Sequence, residues 1–137
     1  MTAFRITIRA LAILALVTGS IDVLLGLAAQ ATIGAALEEG YCDPLLNSQI
    51  RYLGAVWLGF GALLWHGLGD LPKHSAILRG ALTIVFVGGL GRVASVVQLG
   101  FPPSELGRNF VIIATAIEII GMPLLLVWMS RLLPRAP

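Results

Sequence analysis

Apolar residues run through this chain in four long blocks, separated by shorter stretches that gather charge, glycine and proline. The blocks cover about Ile6 to Ala29, Ile50 to Gly69, Ile77 to Leu99 and Asn109 to Met129. Each is roughly 20 residues long, which at ~1.5 Å per residue carries an α-helix across a hydrocarbon layer of ~30 Å. An isolated strand cannot satisfy its backbone in lipid, so runs of this length predict helices. The pattern predicts an all-α fold, a four-transmembrane-helix bundle forming a single membrane domain over residues 1–137. The longest connection, Gln30 to Gln49, holds Glu38, Glu39, Gly40, Asp43 and Pro44, and its Ala35–Leu37 stretch suits a short interfacial helix. Asp70 to Ser75, with Pro72, and Gly100 to Arg108, with Pro102 and Pro103, predict tight turns.

Composition strengthens the membrane reading. Hydrophobic residues make up 58% and charged residues 12%, against about 25% charged in soluble domains. Four spans in 137 residues leave almost nothing for a folded soluble domain. The net charge of +2 describes topology. Arg5, Arg9, Lys73, Arg79, Arg131 and Arg135 fall on one side of the four spans, against Arg51 and Arg108 on the other, so both termini are expected in the cytoplasm. Trp65 and Trp128 would lie near the inner interface, with Tyr41, Tyr52, Phe101 and Phe110 near the outer one. Nucleic acid is not an expected partner, because no basic footprint remains once topology is accounted for. Arg5, Arg9 and the apolar run after them, with Ala29-Gln30-Ala31, mimic a signal peptide and its cleavage site. The apolar stretch exceeds the usual core of ~7–15 residues, so a retained first span is expected.

The chemistry lies in charges placed where lipid disfavours them. Asp22, Arg92 and Glu118 sit inside apolar spans and Arg51 at the edge of another. Such residues cost a few kcal/mol each, and they pair, line cavities or carry function. With alternating span directions, all four fall in the outer half of the bundle. Helical spacing groups Ala15, Gly19, Asp22 and Gly26 on the first span and Arg51, Ala55, Gly59, Ala62 and His66 on the second. It likewise groups Ala81, Gly88, Arg92 and Ser95 on the third and Thr115, Glu118 and Met122 on the fourth. Small residues let membrane helices approach, so these faces are expected to meet and turn the charges inward. One reading is a structural lock in which Arg92 pairs with Asp22 or Glu118. The other is a polar pocket, opening outward, with Asp22, Arg51, Arg92 and Glu118 as ligand-binding residues.

Other features add less. Gly88, Gly89 and Gly91 permit a bend or a close neighbour beside Arg92. Pro123, after Gly121, predicts a kink one turn from Glu118. His66, Asp70 and His74 recur every four residues, but Pro72 interrupts them, and neither a metal nor any other cofactor is expected. Cys42 is the single cysteine and has no internal disulfide partner. No nucleophile-elbow pattern surrounds Ser95 or Ser104, which leaves an enzyme as the third reading. Aligning Arg9 with Arg79 places Asp22 on Arg92, and aligning Arg51 with Arg108 starts the second and fourth spans together, which suggests two related helical hairpins.

The run Gln49-Ile50-Arg51-Tyr52-Leu53-Gly54-Ala55, then Gly59-Phe60-Gly61, Gly88-Gly89-Leu90-Gly91-Arg92-Val93-Ala94-Ser95 and Gly100-Phe101-Pro102, resembles a bacterial family of short membrane proteins of unknown function with four spans. In layout the chain is more distantly similar to DoxX-like four-helix proteins. The resemblance implies the fold and a bacterial cytoplasmic membrane, and implies no activity. From the charges within the spans, binding or transfer of a small amphipathic or lipid-like ligand at the polar cluster is the expected function. The alternative is an accessory subunit of a larger membrane complex. A homodimer is compatible with either.

Overall fold

The computed structural model describes residues 1–35 and 43–132. Among these, every regular element is helical: α1 (Thr2–Leu25), α2 (Leu27–Thr32), α3 (Pro44–Gly67), α4 (Ser75–Leu99), α5 (Glu105–Ala116) and α6 (Met122–Leu132). A π-helical turn over Ile117–Gly121 joins α5 to α6, so that Glu105–Leu132 is one 28-residue rod. By length and composition α1, α4 and this rod are suited to cross a membrane. The chain is thus an all-helical membrane protein. The second expected span, α3, is 24 residues long but falls outside that group, because Arg51, Tyr52 and His66, with Gly54, Gly59, Gly61 and Gly67, dilute its apolar residues even beyond the polar first turns.

Local chemistry sets where the helices start and stop. The first span ends at Leu25 rather than Ala29 because Gly26 takes φ 59°, a left-handed conformation that only glycine adopts at little cost. The second begins at Pro44 rather than Ile50: the Asp43 side chain accepts a 2.7 Å hydrogen bond from Leu46 N–H, and Pro44 occupies the first turn. The fourth begins at Glu105 rather than Asn109, capped by Ser104, whose hydroxyl accepts from Gly107 N–H at 3.1 Å. The third, Ser75–Leu99, starts two residues before the expected Ile77. A short helix is present between the first two long helices, but it covers Leu27–Thr32. Ala35 is non-helical, and the rest of the expected Ala35–Leu37 helix lies outside the described residues, as do Glu38, Glu39, Gly40, Tyr41, Cys42 and Arg135.

The long helices form two hairpins. α1 and α3 pack along their whole length through small residues, as membrane helices do. A Cβ added at Gly19 would lie 2.6 Å from Leu58 N, and one at Gly61 would lie 2.9 Å from Leu16 N. Trp57 Nε1 donates to the Thr18 hydroxyl at 2.8 Å between them. The contact face of α3 is therefore Gly54, Gly61 and Leu64, whereas Arg51, Ala55, Gly59, Ala62 and His66, the face expected to meet the other spans, are exposed. Those five share one face as the periodicity requires, but Gly54 and Gly61 on the adjacent stripe allow a closer helix approach. In the other hairpin α4 packs on the π turn, where a Cβ at Gly89 would lie 2.7 Å from the Glu118 Cβ. Gly88, expected at this interface, is exposed and leaves the contact to its neighbour.

The two hairpins share one continuous core. Phe4, Ile8 and Ala12 of α1 meet Leu64 of α3, Leu68 and Leu71 of the following turn, Leu78 and Leu82 of α4, and Met122 and Met129 of α6. All of these lie in the half of the molecule nearest the termini, here called the proximal half. Phe4 and Trp128 meet edge to face at 5.4 Å, and the Arg5 guanidinium donates to the Leu68 carbonyl. Beyond Gly89 on α4, no residue of that helix is buried. At the distal end the hairpins touch again, where the Ser104 hydroxyl donates to the Gly34 carbonyl at 2.7 Å.

Candidate functional site

Arg92 lies seven residues before the end of α4, past the last buried residue of that helix. Its Nε donates to both carboxylate oxygens of Glu118, at 3.0 and 2.9 Å. The Phe110 ring lies 5.5 Å from the guanidinium carbon, within cation–π range. Glu118 is the more enclosed partner, with 13% of its side chain exposed against 39% for Arg92. Among the described residues the terminal Nη groups of Arg92 have no hydrogen-bond partner, so the guanidinium is anchored by one edge while its outer donors stay available. The Thr115 hydroxyl, one turn from Glu118, is buried and likewise has no partner among the described residues.

The π turn positions Glu118. Pro123 has no N–H and its ring collides with the carbonyl four residues back in a regular α-helix. Here the chain widens instead, and Met122 N–H bonds to the Ile117 carbonyl, five residues back. At the position of the expected kink the helix carries a local π insertion. Turns of this kind are frequent at functional positions.

Asp22 and Arg51 belong to the other hairpin and have other partners. Asp22 accepts from the Gln30 side-chain amide at 3.1 Å. Arg51 donates to the Val23 and Leu24 carbonyls, satisfying groups that the end of α1 leaves open and placing a cation at its negative terminus. Asn47 completes this junction by accepting from Leu27 N–H at 2.8 Å. The four charges expected in one network therefore divide. Arg92 and Glu118 pair, whereas Asp22 and Arg51 are each engaged within the first hairpin, and no ion pair links the two groups among the described residues. Phe110, Gln30 and Asn47 went unread as partners in the sequence. Phe110 lies eight residues before Glu118, and that spacing alone was the available signal.

His66 and His74 come together across the proximal turn, their ring centroids 4.6 Å apart. Asp70, the third member of that spacing, instead accepts from Lys73 N–H at 3.1 Å. Among the described residues no three metal-ligating side chains converge.

No curated protein and no solved structure shows significant similarity to the chain. A family profile described as a domain of unknown function (DUF4345) does match, over residues 3–129, and so takes in both hairpins and the Arg92–Glu118 pair. The chain belongs to this DUF4345 family.

Proposed function

We propose that this protein binds the polar or anionic headgroup of a lipid-like or small amphipathic molecule, with Arg92 as the contacting residue. One observation carries the reading: an arginine at hydrocarbon depth is fixed through Nε by Glu118, backed by Phe110, and keeps its terminal donors unused. A guanidinium serving only as a lock would spend its planar fork on its partner. Glu118 then positions the guanidinium. In this proposal Asp22 and Arg51 line the opposite wall, contributed by the first hairpin.

The reading takes α3 as the fourth span, since a helix packed along the whole of α1 shares its depth. It also takes both termini as cytoplasmic and the membrane as the bacterial inner membrane. The test is native mass spectrometry of gently extracted protein. A small-molecule adduct on wild type that is lost in folded Arg92→Ala supports the site. An unchanged adduct pattern in Arg92→Ala refutes it.

A second reading, an accessory subunit of a larger complex, is favoured by the outward glycines of α4. Gly80, Gly88 and Gly91 have no atom within 4 Å of where a Cβ would stand, which suits a closely docked partner helix. Retention of unrelated subunits without any adduct would support that alternative.

A further inference from the structure

We propose a second binding site, independent of Arg92, for one anionic phospholipid of the leaflet at the termini. The α1–α3 seam carries an open apolar groove of about 550 Å³, lined by Ile13, Leu16, Val17, Ala62, Trp65 and His66. That volume lies within the ~300–1,000 Å³ of sites that hold small ligands. Its floor exists because Gly61 lets the two backbones close on each other at Leu16. Small Ala62 beside bulky Trp65 leaves the furrow unfilled. From Trp65 and His66 at its mouth the groove runs inward along α1 to Val17, and its apolar lining suits an acyl chain.

The mouth selects the headgroup. Arg9 is one turn nearer the proximal end than Ile13, on the same face of α1 by helical spacing. It is exposed and has no ion pair or hydrogen bond among the described residues, whereas Arg5, one turn further, is engaged by the Leu68 carbonyl. On the α3 wall the His66 ring is steadied by His74 at 4.6 Å, and Trp65, half exposed, is of the residue type that settles at the headgroup level. The nearby carboxylate, Asp70, is engaged by the Lys73 amide. A free cation and an imidazole above an apolar furrow complement a phosphate joined to an acyl chain, and a neutral or zwitterionic lipid satisfies them less well.

The test titrates the full-length protein in mild detergent with phosphatidylglycerol and, separately, phosphatidylcholine of the same chains, with bound lipid counted by native mass spectrometry. The comparison is made in wild type and on an Arg92→Ala background, so that loss of the headgroup site proposed above leaves this one readable. Retention of phosphatidylglycerol over phosphatidylcholine by about fivefold is expected: both carry a phosphate, but the choline cation offsets its charge, and one basic residue beside an anionic lipid is worth about 1 kcal/mol. Arg9→Gln should bring the two lipids close to parity. Ala62→Phe, which fills the groove at an exposed position and leaves the fold intact, should reduce retention of both. Equal retention in wild type, or a preference that survives Arg9→Gln and Ala62→Phe, overturns the proposal. So does a dimer that Ala62→Phe alone disperses, because the occupant would then be a second copy.

Discussion

Substituting Gly19 by alanine tests how closely the first hairpin is packed. The added methyl would lie 2.6 Å from Leu58 N, 2.8 Å from the Gly54 carbonyl oxygen and 3.0 Å from Leu58 Cα, all of them backbone atoms of α3. No side chain can swing aside, so α3 itself must retreat. Reaching an ordinary 3.4 Å contact from 2.6 Å takes 3.4 − 2.6 = 0.8 Å of separation. The Trp57–Thr18 hydrogen bond, one residue away on each helix, is 2.8 Å long. Stretched by the same amount it reaches about 3.6 Å and is no longer a hydrogen bond. Overpacking of this kind costs about 1–3 kcal/mol and the lost bond about 1 kcal/mol. Alanine returns about 0.5–1 kcal/mol of helix propensity. The net loss is about 1–3 kcal/mol, which at roughly 4 °C per kcal/mol lowers the melting temperature by about 4–12 °C. Gly59→Ala is the matched control, since nothing lies within 4 Å of its added Cβ, and it should melt at or slightly above wild type. Thermal unfolding of both in the same detergent decides the matter. If Gly19→Ala is as stable as Gly59→Ala, the close α1–α3 approach is wrong.

Three further outcomes follow from other contacts. Glu118→Gln and Arg92→Gln should each destabilise the protein, and the double variant should lose less than the sum of the two, because each single change leaves one partner of the ion pair uncompensated; additive melting shifts in the double-mutant cycle would refute a coupled pair. Ser104→Ala removes the cap of α5 and the bond to Gly34, and should cost about 0.5–2 kcal/mol, with faster amide exchange at Gly107; unchanged exchange there would remove the cap from the account. Pro123→Ala restores the N–H that a regular helix needs and should convert the π turn to α-helix. Amide exchange at residues 117–123 reports the change, and a persistent five-residue hydrogen bond from Met122 would show that proline is not its cause.

Much of the fold was legible because hydrophobic length is a coarse and durable signal. Asp43-Pro44 and Ser104 marked helix starts, yet the apolar count overlooked them, because capping residues are polar and lie outside the apolar run. That Arg92 would meet a carboxylate was legible from depth and sign, but not that Glu118 rather than Asp22 would be its partner. The engagement of Asp22 by Gln30 and of Arg51 by the α1 carbonyls was not. Both depend on the chain reversing at Gly26, a backbone event that periodicity does not encode. The face of α3 was misjudged for a related reason. Two adjacent small-residue stripes run along that helix, and only the partner's shape decides between them.

The location of the shared core gives the molecule a mechanical character. Two rigid rods joined firmly at one end behave as the arms of a tweezer, with Leu64, Leu78 and Leu82 at the fulcrum. From Val85 to Leu99 an arm of α4 extends about 21 Å at 1.5 Å per residue, so a 5° swing displaces its tip by about 2 Å. The Ser104–Gly34 hydrogen bond, 2.7 Å long at the far end, acts as a latch. Arg92 sits halfway along the arm between latch and fulcrum, where the same 5° swing moves it by about 1 Å relative to the core.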